Sequence, residues 1–200
     1  MKKIFLDTEF TGLHKLTTLI SIALVSEDDK EYYAELIDFD EHQITPFLNK
    51  EVLSKLIIGE YDFYQDYNPE SNTIRVKGNI DLVKQTLTEY LNKFDDVEIW
   101  VQTPYAWFLF VDLFGGFGYL PKNVFRYPFD LTTAIKLYGI NPMESKKDFL
   151  PNYDELLTYG ENNALNDARL NREIFKKLLD LKVKPVENEK QSEVKESIQD

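Results

Sequence analysis

The spacing of apolar residues changes period along the chain. Early stretches have strand length: IFLDTEF at 4–10, the continuous aliphatic and β-branched LISIALV at 19–25, and the alternating EYYAELI at 31–37. A continuous apolar run indicates burial on both faces, so LISIALV is expected to be a central strand with IFLDTEF beside it. The polar turn EDDK at 27–30 joins the second strand to the third, and the three predict a meander. Helical spacing takes over afterwards. Residues 44–56 offer Thr45 as N-cap and Pro46 at the first helical position, with Phe47, Val52, Leu53 and Leu56 on one side. Residues 79–94 repeat apolar positions 80, 83, 87, 90/91 and 94, and VEIWV at 97–101 follows as a strand. That order predicts a parallel addition to the sheet. Thr103-Pro104 opens another helix, YAWFLFVDLF, which is apolar on nearly all sides until Gly115-Gly116 and is expected to be buried. TTAIKLYG at 132–139 predicts a further helix closed by glycine, and the last long helix spans about 162–180.

Two stretches read differently. An Asn-Pro turn signal between aromatic and β-branched segments makes 60–78 a hairpin-like insertion. Residues 182–200 are nearly free of large apolar side chains and are expected to form a disordered acidic and polar tail, leaving 1–181 as one α/β domain. Composition agrees with one core, because 200 residues at 43% hydrophobic content suit a single domain. The absence of a long uncharged apolar run, with acids where a leader would need apolar residues, points to a cytoplasmic protein without a membrane partner. With no cysteine, any metal must be held by oxygen or histidine. A net charge of −12 disfavours broad electrostatic gripping of a nucleic-acid duplex.

Charge also singles out the first strand. Residues i and i+2 share a strand face, so Asp7 and Glu9 project together beside Phe5 while Leu6 and Thr8 point the other way. Two adjacent carboxylates repel, and a divalent cation would relieve that repulsion; a solvated edge-strand face is the alternative. The last helix supplies a third acid. Ala164, Ala168, Asn171, Phe175 and Leu178 form an inward stripe at helical spacing, and Asp167 falls within it. A metal shared with Asp7 and Glu9 would account for an inward aspartate, as would an internal salt bridge.

Three stretches resemble the DEDD-type 3′-5′ exonucleases of the RNase H-like fold. FLDTEFTGL is similar to the first motif of that family, TPYAWFLFVDLFGG to the second and ENNALNDARLN to the third. LISIALV followed by KEYYAE resembles in particular the mycobacterial-type exoribonuclease subfamily, and the likeness covers residues 3–180. It implies an RNase H-like mixed sheet of about five strands flanked by helices. It also implies Asp7, Glu9 and Asp167 as ligands of Mg²⁺ or Mn²⁺, and Phe10, Thr11 and Leu13 as contacts of a terminal nucleotide. The implied reaction is phosphodiester hydrolysis at a single-stranded 3′ end, of RNA before DNA.

The departures are specific. The second motif expects an aspartate where this chain has Ala106, and the third expects a histidine where it has Asn162. Asp112, six residues beyond Ala106, is rotated by about 120° on a helix and is expected to face solvent. His14 and His42 are expected at the surface, and Asn162 or Asn163 would cap the last helix. Losing one ligand and a general base, the latter worth about 10²–10⁴-fold in rate, predicts very low activity. A catalytically inactive 3′-end binder and a protein-interaction module on the same fold are the alternatives.

Overall fold

A computed structural model describes residues 1–58 and 70–181. Six strands form one mixed sheet: β1 (Lys2–Phe10), β2 (Leu19–Ser26), β3 (Glu31–Leu36), β4 (Thr73–Gly78), β5 (Val97–Val101) and β6 (Phe129–Asp130). Their spatial order is β4-β3-β2-β1-β5-β6. The β1-β2-β3 meander is antiparallel, and β5 adds parallel to β1, as the period change predicts. All eight residues of β2 are buried, which matches its unbroken apolar run.

Two expectations about the sheet need correction. It has six strands rather than about five, because the two-residue edge strand β6 is too short to leave a periodic signal. Among the described residues the partner of 73–78 is the distant β3 rather than a neighbouring arm: they form β4, parallel to β3, with Thr73 opposite Glu31 and Gly78 opposite Leu36. Residues 59–69 of that stretch and the tail 182–200 lie outside the described residues.

The pleat sorts side chains into two layers. Ile4, Leu6, Ile22, Leu24 and Tyr32 face one side, covered by α2 (Ile80–Leu91) and α3 (Pro104–Leu113). Phe5, Ala23, Val25 and Tyr33 face the other, covered by the 17-residue α7 (Ala164–Asp180). Three shorter helices complete that second layer: α4 (Leu131–Leu137), α5 (Lys146–Phe149) and α6 (Tyr153–Leu156). The first helix, α1 (Pro46–Glu51), is capped by Thr45 as expected, but it buries Leu48 and leaves Phe47 exposed. It is short, giving way to a 3₁₀ turn at Leu53–Lys55, so the register inferred for one continuous helix does not apply. α3 is likewise less enclosed than its composition implies, with Phe108 half exposed. Among the described residues no helix is long and apolar enough to cross a membrane.

Candidate metal centre

β1 ends at the centre of the sheet, and its parity decides what its last residues meet. Phe5 packs against α7 through Phe175, with ring centroids 5.4 Å apart, and Asp7 and Glu9 follow on that same face. After Glu9 the ladder slips: Glu9 faces Ser21, and Phe10 faces Leu19. The third acid comes from the first turn of α7. Asn163 sets that turn, its side-chain oxygen accepting the N–H groups of Leu165 and Asn166 while its Nδ2 donates to the Lys55 carbonyl at 2.8 Å. Asp167 therefore points at the end of β1.

The three carboxylates, drawn from positions 160 residues apart (167 minus 7), offer ligand oxygens that all lie within 4.8 Å of one another. Each is partly shielded from solvent. Burial first, then the charges of Asp167 and Glu9, pushes the Asp7 carboxyl well up, against the pull of Lys146 and the Thr8 N–H. Glu9 is pushed up to about 8 by burial and by Asp167, with Lys55 and Lys146 acting in the opposite sense. Carboxylates crowded this closely repel one another, and a divalent ion placed between them would offset that repulsion. An all-oxygen set fits the hard ions Mg²⁺ and Mn²⁺, with water completing an octahedral shell. Asn171, one turn along α7 from Asp167, is fully buried, and neither of its amide atoms has a partner among the described residues.

The remaining candidates divide clearly. Ala106 is fully buried and packs with the α2/α3 layer, its N–H turned to the capping hydroxyl of Thr103 at 3.4 Å. Asn162 is exposed with a φ of 55°, and the cap is Asn163 instead. Asp112, His14 and His42 are all exposed, as expected. Thr11 is committed internally: its hydroxyl donates to Gln43 at 2.6 Å and accepts the Thr18 N–H at 2.8 Å. Phe10 stacks on Tyr105 at 5.3 Å, and Leu13 is 77% exposed. A cavity of about 510 Å³ lies at the opposite end of β1, lined by Lys2, Glu27, Lys93 and Asp96 among others, and shares no residue with the acid cluster.

Two cations at the cluster escaped the reading of the sequence. Lys146 donates to Asp167 Oδ1 at 3.1 Å, and Lys55 acts on Glu9 from the 3₁₀ turn after α1. Neither sits in a periodic pattern; the only clue is that three converging acids call for a counter-charge. No family model matches the chain, and no curated protein sequence matches it.

Proposed function

We propose that the chain is a divalent-metal-dependent 3′-5′ exonuclease of the RNase H-like fold, acting on single-stranded nucleic acid, RNA before DNA, with hydrolysis slowed by two lost groups. The reading is carried by one observation: acids at positions 7, 9 and 167 converge within 4.8 Å on the face of the sheet covered by α7. A divalent ion held there would polarise a phosphoryl oxygen and lower the pKa of its bound water. The chain's own residues do the rest. Phe10, braced by Tyr105, presents a ring on which a terminal base can stack, and exposed Leu13 extends that apolar contact. Thr11, with its hydroxyl already bonded, holds the turn between Phe10 and Thr18 rather than contacting substrate.

Water then adds to the last phosphodiester phosphorus, the bond from that phosphorus to the 3′ oxygen of the preceding nucleotide breaks, and a nucleoside 5′-monophosphate is released, but the proton of the attacking water has no good acceptor. Asn162 cannot take it up, and its left-handed, exposed backbone position leaves that step to solvent. With three carboxylates among the described residues, the cluster suits one ion rather than a bridged pair. The test is Mn²⁺-dependent shortening of a 5′-labelled RNA of a few nucleotides, beside the same RNA blocked at its 3′ end and beside DNA. Slow trimming of the free 3′ end, abolished by Asp167→Asn, is expected. Metal-dependent retention without trimming would make the chain a 3′-end binder, and neither trimming nor retention would overturn the proposal.

A further inference from the structure

Lys146 opens α5, a helix of one turn, and its ammonium reaches across to the first turn of α7. It bonds Asp167 Oδ1 at 3.1 Å with the two side chains 27% and 23% exposed, so the pair is neither a surface contact nor a sealed one. The segment does not depend on this pair for its position. Leu150 is buried beside it, Lys177 donates to the Phe149 carbonyl, and the Lys177 ammonium lies 4.5 Å from the Phe149 ring centroid. The neighbouring Lys147 shows the ordinary alternative, pairing with Asp154 where both side chains are mostly exposed. Lys146 thus supplies charge to the acid cluster more than it supplies structure to α5.

An ion bound through Asp167 Oδ1, the oxygen that Lys146 contacts, would sit about 2.1 Å from it, which leaves the ion roughly 5 Å or less from an ammonium that stays in place. A double charge and a single charge at that distance repel strongly in a half-buried site. Lysine can leave at little cost, because its four-carbon stem is flexible and its ammonium is strongly hydrated. Resting on the metal-ion reading of Asp7, Glu9 and Asp167, we propose that Lys146 is a tethered counter-ion that competes with the divalent ion for Asp167, so that ion binding and release of this ammonium are one event.

Calorimetry with Mn²⁺ tests it on the full chain. Lys146→Met keeps the length of the side chain without its charge and is expected to bind Mn²⁺ about tenfold more tightly, while Lys146→Arg binds as the unmutated chain does. Equal or weaker Mn²⁺ binding by Lys146→Met overturns the competition and leaves the metal reading standing, as does tightening by both variants. No Mn²⁺ binding by any of the three overturns both. A second measurement needs no substitution: acetic anhydride labelling followed by mass spectrometry, with Lys147 as the internal reference. Saturating Mn²⁺ is expected to raise labelling of Lys146 at least severalfold, and unchanged labelling overturns the proposal.

Discussion

The Glu9 carboxyl makes no hydrogen bond among the described residues, and burial with the charge of Asp167 lifts it from 4.5 to about 8. The folded chain therefore keeps a proton that the unfolded chain gives up. Stability without metal falls as pH climbs through that window, since the unfolded state binds fewer protons. Asp7, shifted in the same direction, steepens the fall. In chelator, the melting temperature is expected to drop from about pH 5 to about pH 8, and Glu9→Gln to flatten the slope. Mn²⁺ should act in reverse, stabilising most at the alkaline end, where the acids it needs are ionised. A melting temperature independent of pH in both proteins would sink this account. Ala106 poses the complementary question. Enclosed by the α2/α3 layer, an aspartate there would bury a charge at a cost of several kcal/mol unless an ion reached it. Ala106→Asp is expected to unfold at lower urea than the unmutated chain in chelator and to gain more from Mn²⁺. An equal gain in the two proteins would place position 106 away from the cluster.

Helix ends separate two neighbouring asparagines. Asn163 is buried, accepts two N–H groups at the start of α7 and closes the Lys55 carbonyl, so Asn163→Ala loses a cap and leaves that carbonyl unpaired. A loss of about 2–3 kcal/mol is expected from the two effects. Asn162 carries none of this, and Asn162→Gly, which suits a φ of 55°, is expected to change stability by less than about 1 kcal/mol. Urea denaturation of the two variants decides it; similar losses would mean the cap is misassigned. The elements that could be read in the sequence are those where one face is paired with one partner. Parity put Asp7 and Glu9 with Phe5, and the stripe through Ala164 and Ala168 brought Asp167 to them. β4 was illegible as a parallel strand because its partner, β3, lies far back in the chain, while an Asn-Pro signal close by favours a local turn. Lys146 was illegible because its helix is a single turn, too short for any periodicity to show.

Across the whole molecule, one side chain ties the α7 layer to the sheet margin. Glu31 on β3 accepts from Arg169 of α7 at 2.6 and 2.8 Å and from Arg75 of β4 at 2.8 Å. Desolvation works against its charge, yet the two guanidinium groups hold its carboxyl below the usual value. Its stabilising contribution is thus complete above about pH 4.5, the ordinary value, and is lost as pH falls below it. Glu31→Gln leaves two shielded arginines without their shared acceptor, at a cost of about 2–4 kcal/mol near neutral pH. Denaturation at neutral and acid pH checks this, the difference between the proteins being expected to shrink as acid is added; a difference that persists unchanged would point to packing instead. The distance in sequence between β1 and α7 also has a bearing on how the chain is made. At about 5–20 residues per second, the ribosome adds Asp167 roughly 8–30 s after Asp7. Until α7 emerges and docks, the nascent chain holds two of the three clustered acids, so the metal-dependent trimming proposed above could not begin beside the messenger that encodes it.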